Sequence, residues 1–198
     1  MAPATARNRE HITKVLSRHL PLQGLVLEVA SGTGEHITHF ASALSPGLVF
    51  QPSDPDAGAR ASIDAWVESL HVGNVLPAIA LDASTKDWPI KNTDTVLCIN
   101  MIHIAPWEAA VGLVRGAART MTAGGLLYLY GPYRRGGQHT SPSNETFDCG
   151  LRMQNSEWGV RDLENVVQLA DEHGFGQPLI EEMPANNLSL VFYRSALA

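Results

Sequence analysis

The stretch LVLEVASGTGEH, residues 25–36, decides the fold of this chain. A short apolar run ends abruptly in small residues, and a segment compatible with a helix follows. A buried parallel strand that delivers a glycine-rich loop to a ligand has this pattern. Gly32 and Gly34 carry no Cβ, so the backbone there can adopt positive φ and approach a ligand closely. The stretch therefore predicts a strand, a ligand-binding turn and a helix in succession.

Glu28 is the one charged residue inside this apolar run. A carboxylate in a buried strand is costly unless it is paired or hydrogen-bonded. We therefore expect Glu28 to orient the glycine loop through backbone N–H groups, or to receive a cationic group of the ligand.

Two loop patterns compete for this stretch. The dinucleotide fingerprint needs a third glycine, and this chain has Ile37 at that position. The pattern acid-x-small-x-Gly-x-Gly fits instead, with Glu28, Ala30, Gly32 and Gly34. It resembles the first motif of class I S-adenosylmethionine-dependent methyltransferases, with Ala30 in place of the usual first glycine. The resemblance implies that these residues and Ser31 bind S-adenosylmethionine, and a tight strand–helix connection without a ligand is the alternative.

Length and composition favour one globular unit. The 198 residues fit a single domain over residues 1–198, with 44% hydrophobic and 17% charged residues. The net charge of −6 argues against a general nucleic-acid binder, which usually carries a basic face. No apolar run reaches the roughly 18 residues of a membrane span, and no signal peptide is visible. We expect a cytoplasmic protein without nucleic-acid or membrane partners, as a monomer or homodimer.

Segments typical of strands and helices alternate along the chain. Helices are predicted at residues 5–20 (within an N-terminal helical segment, 1–22), 35–44, 57–72, 107–121 and 160–173, and strands at 25–29, 48–51, 75–81, 93–100, 126–130, 179–183 and 188–193. Alternation implies a mainly parallel sheet, whereas the short last connection implies an antiparallel pair. The predicted fold is α/β, with a Rossmann-like, seven-stranded, mostly parallel sheet, a C-terminal antiparallel strand and helices on both faces. It resembles the class I methyltransferase fold.

Residues 131–158 interrupt this alternation, because they lack sustained periodicity and are rich in Gly, Pro, Ser and Asn. A connection this long in a compact domain is usually functional or mobile. We expect a loop on the substrate side, with residues 133–147 as a lid over the cofactor. The residues expected to meet or support the substrate are Tyr133, Arg134, Asn144, Asp148 and Trp158. Arg161 and Asp162 either support this loop or cap the next helix.

Acidic residues follow the second predicted strand, at the edge where an open α/β sheet binds its ligand. Asp54 comes about 20 residues after the glycine loop, the spacing at which an acid binds a ribose diol. A turn residue between prolines is the alternative for Asp54. Asp56 competes for the ribose, or caps the helix that follows.

The third and fourth predicted strands also end in polar or small residues. Asp82 and Ala83 resemble the pair with which methyltransferases read the adenine amino group, and a loop or cap aspartate is the alternative. Asn100 and Met101 should pass beneath the methionine part of the cofactor, with core packing the alternative for Met101.

The first predicted helix begins with Arg7 and Asn8. If that helix folds over the cofactor, Arg7 can pair with the methionine carboxylate; a solvated helix start is the alternative. His36 and His39 are spaced i, i+3 and could supply two metal ligands, but no matching cluster accompanies them. We therefore expect no metal.

Methyl transfer needs a general base only when the acceptor must lose a proton. His103 is the first candidate, because it lies just beyond the fourth predicted strand and histidine titrates near neutrality. A histidine packed at a helix entry is the alternative. His139, in the long loop, is the second candidate, and Tyr133 is the third.

Several segments together indicate a narrower resemblance. They are RNRE (7–10), LEVASGTGEH (27–36), QPSD (51–54), GPY (131–133), TSPSN (140–144), FD (147–148) and EWGVRD (157–162). They resemble a methyltransferase-like family catalogued as a domain of unknown function, whose animal members are called methyltransferase-like protein 26. The resemblance covers nearly the whole chain, and it implies the fold and S-adenosylmethionine binding without naming a substrate.

The leading prediction is an S-adenosylmethionine-dependent methyltransferase that acts on a small-molecule nucleophile by in-line transfer. A cofactor-binding protein without transferase activity, which works through a partner, is the second hypothesis. A nicotinamide-dependent oxidoreductase is the third, and both Ile37 and Glu28 count against it.

Overall fold

The computed structural model describes the backbone of residues 3–196 and the side chains of residues 5–196. The α-helices of this range are α1 Pro3–His19, α2 Glu35–Ala43, α3 Ala57–Leu70, α4 Trp107–Thr120, α5 Pro142–Gln154 and α6 Leu163–Glu172. The strands are β1 Gln23–Val29, β2 Gly47–Ser53, β3 Thr93–Ile99, β4 Met121–Arg135, β5 Gln138–His139, β6 Arg161–Asp162, β7 Leu179–Met183 and β8 Asn187–Tyr193. Single 3₁₀ turns lie at Met101–His103 and Pro184–Asn186.

The strands form one mixed sheet in the order β2-β1-β3-β4-β8-β7. β1 pairs in parallel with β2 and β3, and β3 pairs in parallel with β4. β8 runs antiparallel to both β4 and β7. The two-residue strands β5 and β6 pair with the far end of β4. The α/β class and the antiparallel closing pair are therefore confirmed, whereas the number of strands differs from seven.

Residues 75–81 do not form the predicted third strand. Only two isolated parallel bridges, from Phe50 to Val75 and from Ser53 to Ile79, join them to β2. Pro52 and Pro77 both lie in this pairing region and have no N–H to donate to a ladder. The segment therefore follows the outer edge of β2 without a regular ladder.

Apolar side chains alternate across the sheet and bury both of its faces, as the two-residue period of a strand requires. One face carries Leu27, Val29 and Val96 toward α4 and α6. The other carries Val26 and Leu97 toward α1, α2 and α3. Helices thus cover both faces, as predicted. Within residues 3–196, no helix combines the length and hydropathy needed to cross a membrane.

Residues 131–158 contain a helix, so the prediction of a loop over this range is wrong. β4 continues to Arg135, a short hairpin to β5 follows, and α5 begins after Ser141, whose side chain accepts from the Asn144 N–H at 3.2 Å. The buried stripe of α5 is Asn144, Asp148 and Leu151. Because two of these three residues are polar, the helix leaves no apolar periodicity in the sequence.

Two helical glycines should respond in opposite ways to replacement by alanine. A Cβ at Gly112 of α4 would overlap the carbonyl oxygen of Ala83, whereas a Cβ at Gly150 of α5 meets only open space. Gly112→Ala should lower the free energy of unfolding by about 1–3 kcal/mol through overpacking. Gly150→Ala should raise it by about 0.5–1 kcal/mol through helix propensity. Urea unfolding measures both, and shifts of the same sign would contradict this packing.

Candidate functional site

A cleft of about 520 Å³ opens where β1, β2 and β3 end. Its walls come from four segments: the end of β1, the turn after β2, residues 81–84 and residues 101–109. The predicted site residues that line it together are Ala30, Asp54, Asp82, Ala83 and Met101. The topology therefore gathers these five residues at one edge, whereas Ser31, Gly32, Gly34 and Asn100 are outside the lining of the cleft.

The turn after β1 has left-handed backbone at three positions, with φ of 59° at Ala30, 58° at Gly32 and 89° at Gly34. For a residue with a Cβ such as Ala30, this conformation costs about 1–2 kcal/mol. A Cβ at Gly34 would lie 2.8 Å from Cα of Ile63 in α3, whereas a Cβ at Gly32 would meet nothing within 4 Å. Gly34 is thus needed for helix packing, whereas Gly32 is exposed and its backbone is open on the side where a Cβ would lie.

Asp54 holds this turn against the end of β2. Asp54 is 8% exposed, and its Oδ2 accepts from the Gly32 N–H at 3.0 Å. Its Oδ1 accepts from the Asp56 N–H at 3.0 Å. Asp56 itself caps α3, because its Oδ1 accepts from the Ala59 N–H at 2.7 Å. Of the two acids that competed in the sequence, Asp54 faces the cleft and Asp56 is the helix cap.

Asp82 and Asn100 contribute differently from Asp54. Asp82 is exposed and accepts from both the N–H and the hydroxyl of Ser84, at 2.8 and 2.7 Å, so it shapes its own turn while lining the cleft. Asn100 adopts a φ of 62° and donates its N–H to the carbonyl of Tyr130 at 2.8 Å. It is not among the residues that line the cleft, whereas the next residue, Met101, is.

Glu28 is 1% exposed, and its Oε2 has no hydrogen-bond partner. Burial raises its pKa to about 8, a hydrogen bond with Ser31 opposes this, and the nearby charge of Asp54 adds to it. The group is therefore protonated at neutral pH. The bonds that brace the turn go to its backbone instead, because the hydroxyls of Ser31 and Ser53 donate to the Glu28 carbonyl at 3.2 and 2.8 Å.

The start of α1 is tied to α2 rather than to the cleft. Asn8 Oδ1 and His36 Nε2 lie 2.9 Å apart, and Arg7 is exposed. Burial, followed by the charges of His39 and Arg9, lowers the pKa of His36 to about 4. His36 thus serves as a neutral bonding partner between two helices. In the portion of the chain that the structure describes, no group of three or more His, Cys, Asp or Glu side chains could hold a metal ion.

His103 is fully buried, which is at odds with its predicted role as a base that meets the acceptor. Its ring packs edge-on against the ring of Tyr133, with centroids 5.1 Å apart, and a Cβ at Gly131 would overlap it. Burial, helped by the charge of Arg161, lowers its pKa to about 3. Tyr133 is equally buried, and burial raises its pKa well above the usual value. Both side chains pack in the interior, the alternative that the sequence left open for His103.

His139, unlike His103, lies beside a carboxylate. Its Nε2 lies 3.4 Å from Oδ2 of the buried Asp148, and its Nδ1 is buried without a hydrogen-bond partner. Asp148 also accepts from Arg152 Nε at 3.0 Å and from the Val160 N–H at 2.6 Å. Burial raises the pKa of Asp148, but these hydrogen bonds and the charges of Arg152 and His139 outweigh it, so the pKa is lowered. Asp148 is thus an ionised carboxylate placed to orient the imidazole.

Arg134 and Asn144, which were also predicted to contact substrate, are bonded within the protein. Arg134 pairs with Asp162 at 2.7 Å, and the Asn144 amide donates to the carbonyl of Asn186 at 2.9 Å. Trp158 is half-buried beside Gly159. The sequence did not indicate Ile104 or Glu108, which also line the cleft. Glu108 lies two residues after Pro106, in the first turn of α4, where the sequence predicted a helix and no site residue.

The family described as "Protein of unknown function (DUF938)" matches residues 1–194. The chain belongs to this family. Its fold is shared with solved methyltransferases of low sequence identity, and at such identities the likeness concerns the fold alone.

One such structure is an O-methyltransferase family protein from Burkholderia thailandensis, with TM-score 0.83 and 16% identity over 98% of this chain and 58% of that one. Another is human N-acetylserotonin methyltransferase in complex with SAM, with TM-score 0.79 and 14% identity over 98% of this chain and 53% of that one. A third is CalO1, a methyltransferase of calicheamicin biosynthesis in its SAH-bound form, with TM-score 0.76 and 17% identity over 97% and 54%. The chain thus spans little more than half the length of these proteins.

Glu28→Gln should flatten the pH dependence of stability. The folded protein keeps the Glu28 proton up to about pH 8, whereas the unfolded chain releases it near the ordinary value of 4.5. The free energy of unfolding therefore falls as pH rises through that window, by up to about 1.4 kcal/mol per pH unit, and levels off above it. The glutamine variant has no such proton to keep.

Urea unfolding between about pH 5 and about pH 8 measures the two slopes. Glu108→Gln, at an exposed position, is the control and should follow the wild type. Equal slopes for Glu28→Gln and the wild type would refute the protonated state of Glu28.

Proposed function

We propose that this chain is an S-adenosylmethionine-dependent methyltransferase that acts on a small-molecule nucleophile. The observation that carries the proposal is the single cleft that brings Ala30, Asp54 and the pair Asp82–Ala83 together beside the glycine turn. Two of the solved relatives by fold are described with SAM or SAH bound, which supports this ligand for the cleft. We also propose that the chain is related to methyltransferase-like protein 26 and that it works in the cytoplasm. The acceptor in this proposal is a small, compact molecule, and neither a nucleic acid nor a membrane is a partner.

The residues at the cleft fit a cationic nucleoside. The exposed Gly32 leaves room for close approach, and the Asp54 carboxylate can accept from ribose hydroxyls, which gives charge-assisted hydrogen bonds. Asp82 and the N–H of Ala83 provide an acceptor and a donor for an adenine edge. The unpartnered Oε2 of Glu28 lies in the strand that leads into the turn, and a nearby positive charge would stabilise its ionised form.

When bound, S-adenosylmethionine supplies an electrophilic methyl group on a sulfonium. The protein then has to hold the acceptor in line with that methyl and to exclude water. For a protic acceptor we assign the general base to His139. Its Nε2 lies 3.4 Å from the Asp148 carboxylate, so its Nδ1, which is buried and has no hydrogen-bond partner, is the nitrogen that takes the acceptor proton. His103 is not assigned this step, because its Nδ1 faces the Arg161 N–H at 3.4 Å and its ring packs against that of Tyr133.

The second candidate is a cofactor-binding protein without transferase activity. It is favoured by the internal bonds of Arg134 and Asn144, which leave these predicted substrate contacts already satisfied. Calorimetric titration with S-adenosylmethionine, followed by an acceptor screen for S-adenosylhomocysteine release, separates the two. Binding with turnover supports the transferase, and binding without turnover on any acceptor supports the second candidate. Binding of NAD(H) in place of S-adenosylmethionine would refute both.

Asp54→Ala should weaken the affinity for S-adenosylmethionine by about 1–3 kcal/mol, because it removes charge-assisted hydrogen bonds to the ribose. Asp56→Ala is the matched control, since it removes the cap of α3 and about 1 kcal/mol of stability without touching the cleft. Calorimetry should show a raised dissociation constant for the first variant only. An unchanged constant for Asp54→Ala would reject its role.

His139→Ala should lower kcat for a protic acceptor by about 10²- to 10⁴-fold, because the acceptor proton loses its base. The affinity for S-adenosylmethionine should stay the same. His11→Ala, at an exposed position of α1, is the control. An equal kcat for His139→Ala and the wild type, with chemistry limiting the rate, would remove His139 from the mechanism.

A further inference from the structure

Residues 101–108 form one wall of the cleft, and Met101, Ile104 and Ala105 line it. The wall begins as a single 3₁₀ turn, with bonds from the His103 N–H to the Asn100 carbonyl and from the Ile104 N–H to the Met101 carbonyl, each 3.0 Å long. One turn of this kind carries few bonds of its own. Its conformation therefore depends on contacts from elsewhere in the chain.

Arg161 supplies these contacts from β6. Its Nε donates to the Ile102 carbonyl at 2.9 Å, and one terminal nitrogen donates to the Ala105 carbonyl at 2.6 Å and to the Glu157 carbonyl at 2.9 Å. The guanidinium also lies over the ring of Trp107, 5.7 Å from its centroid. One planar fork thus bonds to both sides of the turn and packs against the start of α4.

Backbone N–H groups at and near Arg161 also contact the same turn. The Gly159 N–H donates to the His103 carbonyl at 2.9 Å, and the Arg161 N–H lies 3.4 Å from His103 Nδ1. Within the described side chains, Arg161 takes part in no ion pair, so its charge strengthens bonds to carbonyls. The neighbouring Arg134, by contrast, forms an ion pair with Asp162.

We infer that Arg161 is a positioning residue, which holds residues 102–105 so that the cleft wall of Met101, Ile104 and Ala105 is preformed for its ligand. Arg161 is not among the residues that line the cleft, so it acts through the wall. The inference rests on the proposed function for the identity of the ligand, but not for the contacts themselves. A lysine cannot replace the fork, because a single ammonium cannot bond to the Ile102 and Ala105 carbonyls in the same planar geometry.

The test compares Arg161→Lys with Arg134→Lys in the full chain. Both variants keep the charge, both lie where β4 meets β6, and only the first loses bonds to residues 102–105. Amide hydrogen exchange should be about tenfold faster at His103 and Ile104 in Arg161→Lys, and unchanged there in Arg134→Lys. The dissociation constant for S-adenosylhomocysteine should rise about tenfold in Arg161→Lys only, at a temperature where both variants are folded.

Unchanged exchange at these amides in Arg161→Lys would overturn the inference. Faster exchange with unchanged affinity would also overturn it, because the wall would then not matter for the ligand. A wild-type protein that does not bind S-adenosylhomocysteine would refute the proposed function instead. The exchange measurement would then decide alone whether Arg161 holds the wall.

Discussion

The hydrogen bond from the Gly32 N–H to the Asp54 carboxylate is the contact on which the cleft depends. It joins the turn after β1 to the end of β2, at the edge where both strands stop. The left-handed backbone at Ala30 and the contact of Gly34 with α3 leave the turn little freedom to move. The carboxylate is already oriented in this arrangement, so ribose hydroxyls that bond to its remaining lone pairs would meet a preorganised acceptor.

The parts of the fold that the sequence predicted are those with periodic burial. The strands of the central sheet are continuous apolar runs because helices cover both faces, and the closing antiparallel pair follows from a short connection. The prediction of secondary structure failed where the buried side chains are polar or where a proline interrupts the pairing. The helix α5 buries Asn144 and Asp148, and residues 75–81 have a strand-like composition but are interrupted by Pro77.

The candidate site likewise contains residues that the sequence predicted and residues that it did not. Asp54 and Met101 were predictable because parallel strands deliver their carboxyl ends to one edge. Asp82 reaches the same edge without a regular strand, because residues 75–81 follow β2 in parallel through two isolated bridges. The burial of His103 was not, since it depends on the missing Cβ of Gly131 and on backbone bonds from a segment 58 residues away. The pairing of His139 with Asp148 depends on a helix that the sequence pattern did not show. Long-range packing, which leaves no local pattern, accounts for both.

The most direct measurement is a crystal structure of the full chain grown with saturating S-adenosylhomocysteine. We expect the nucleoside in the cleft, with its ribose hydroxyls on Asp54 and its adenine beside Asp82 and Ala83. A nucleoside bound away from the glycine turn, or a cleft that stays empty at saturating ligand, would contradict the assignment of this edge of the sheet as an adenosyl site.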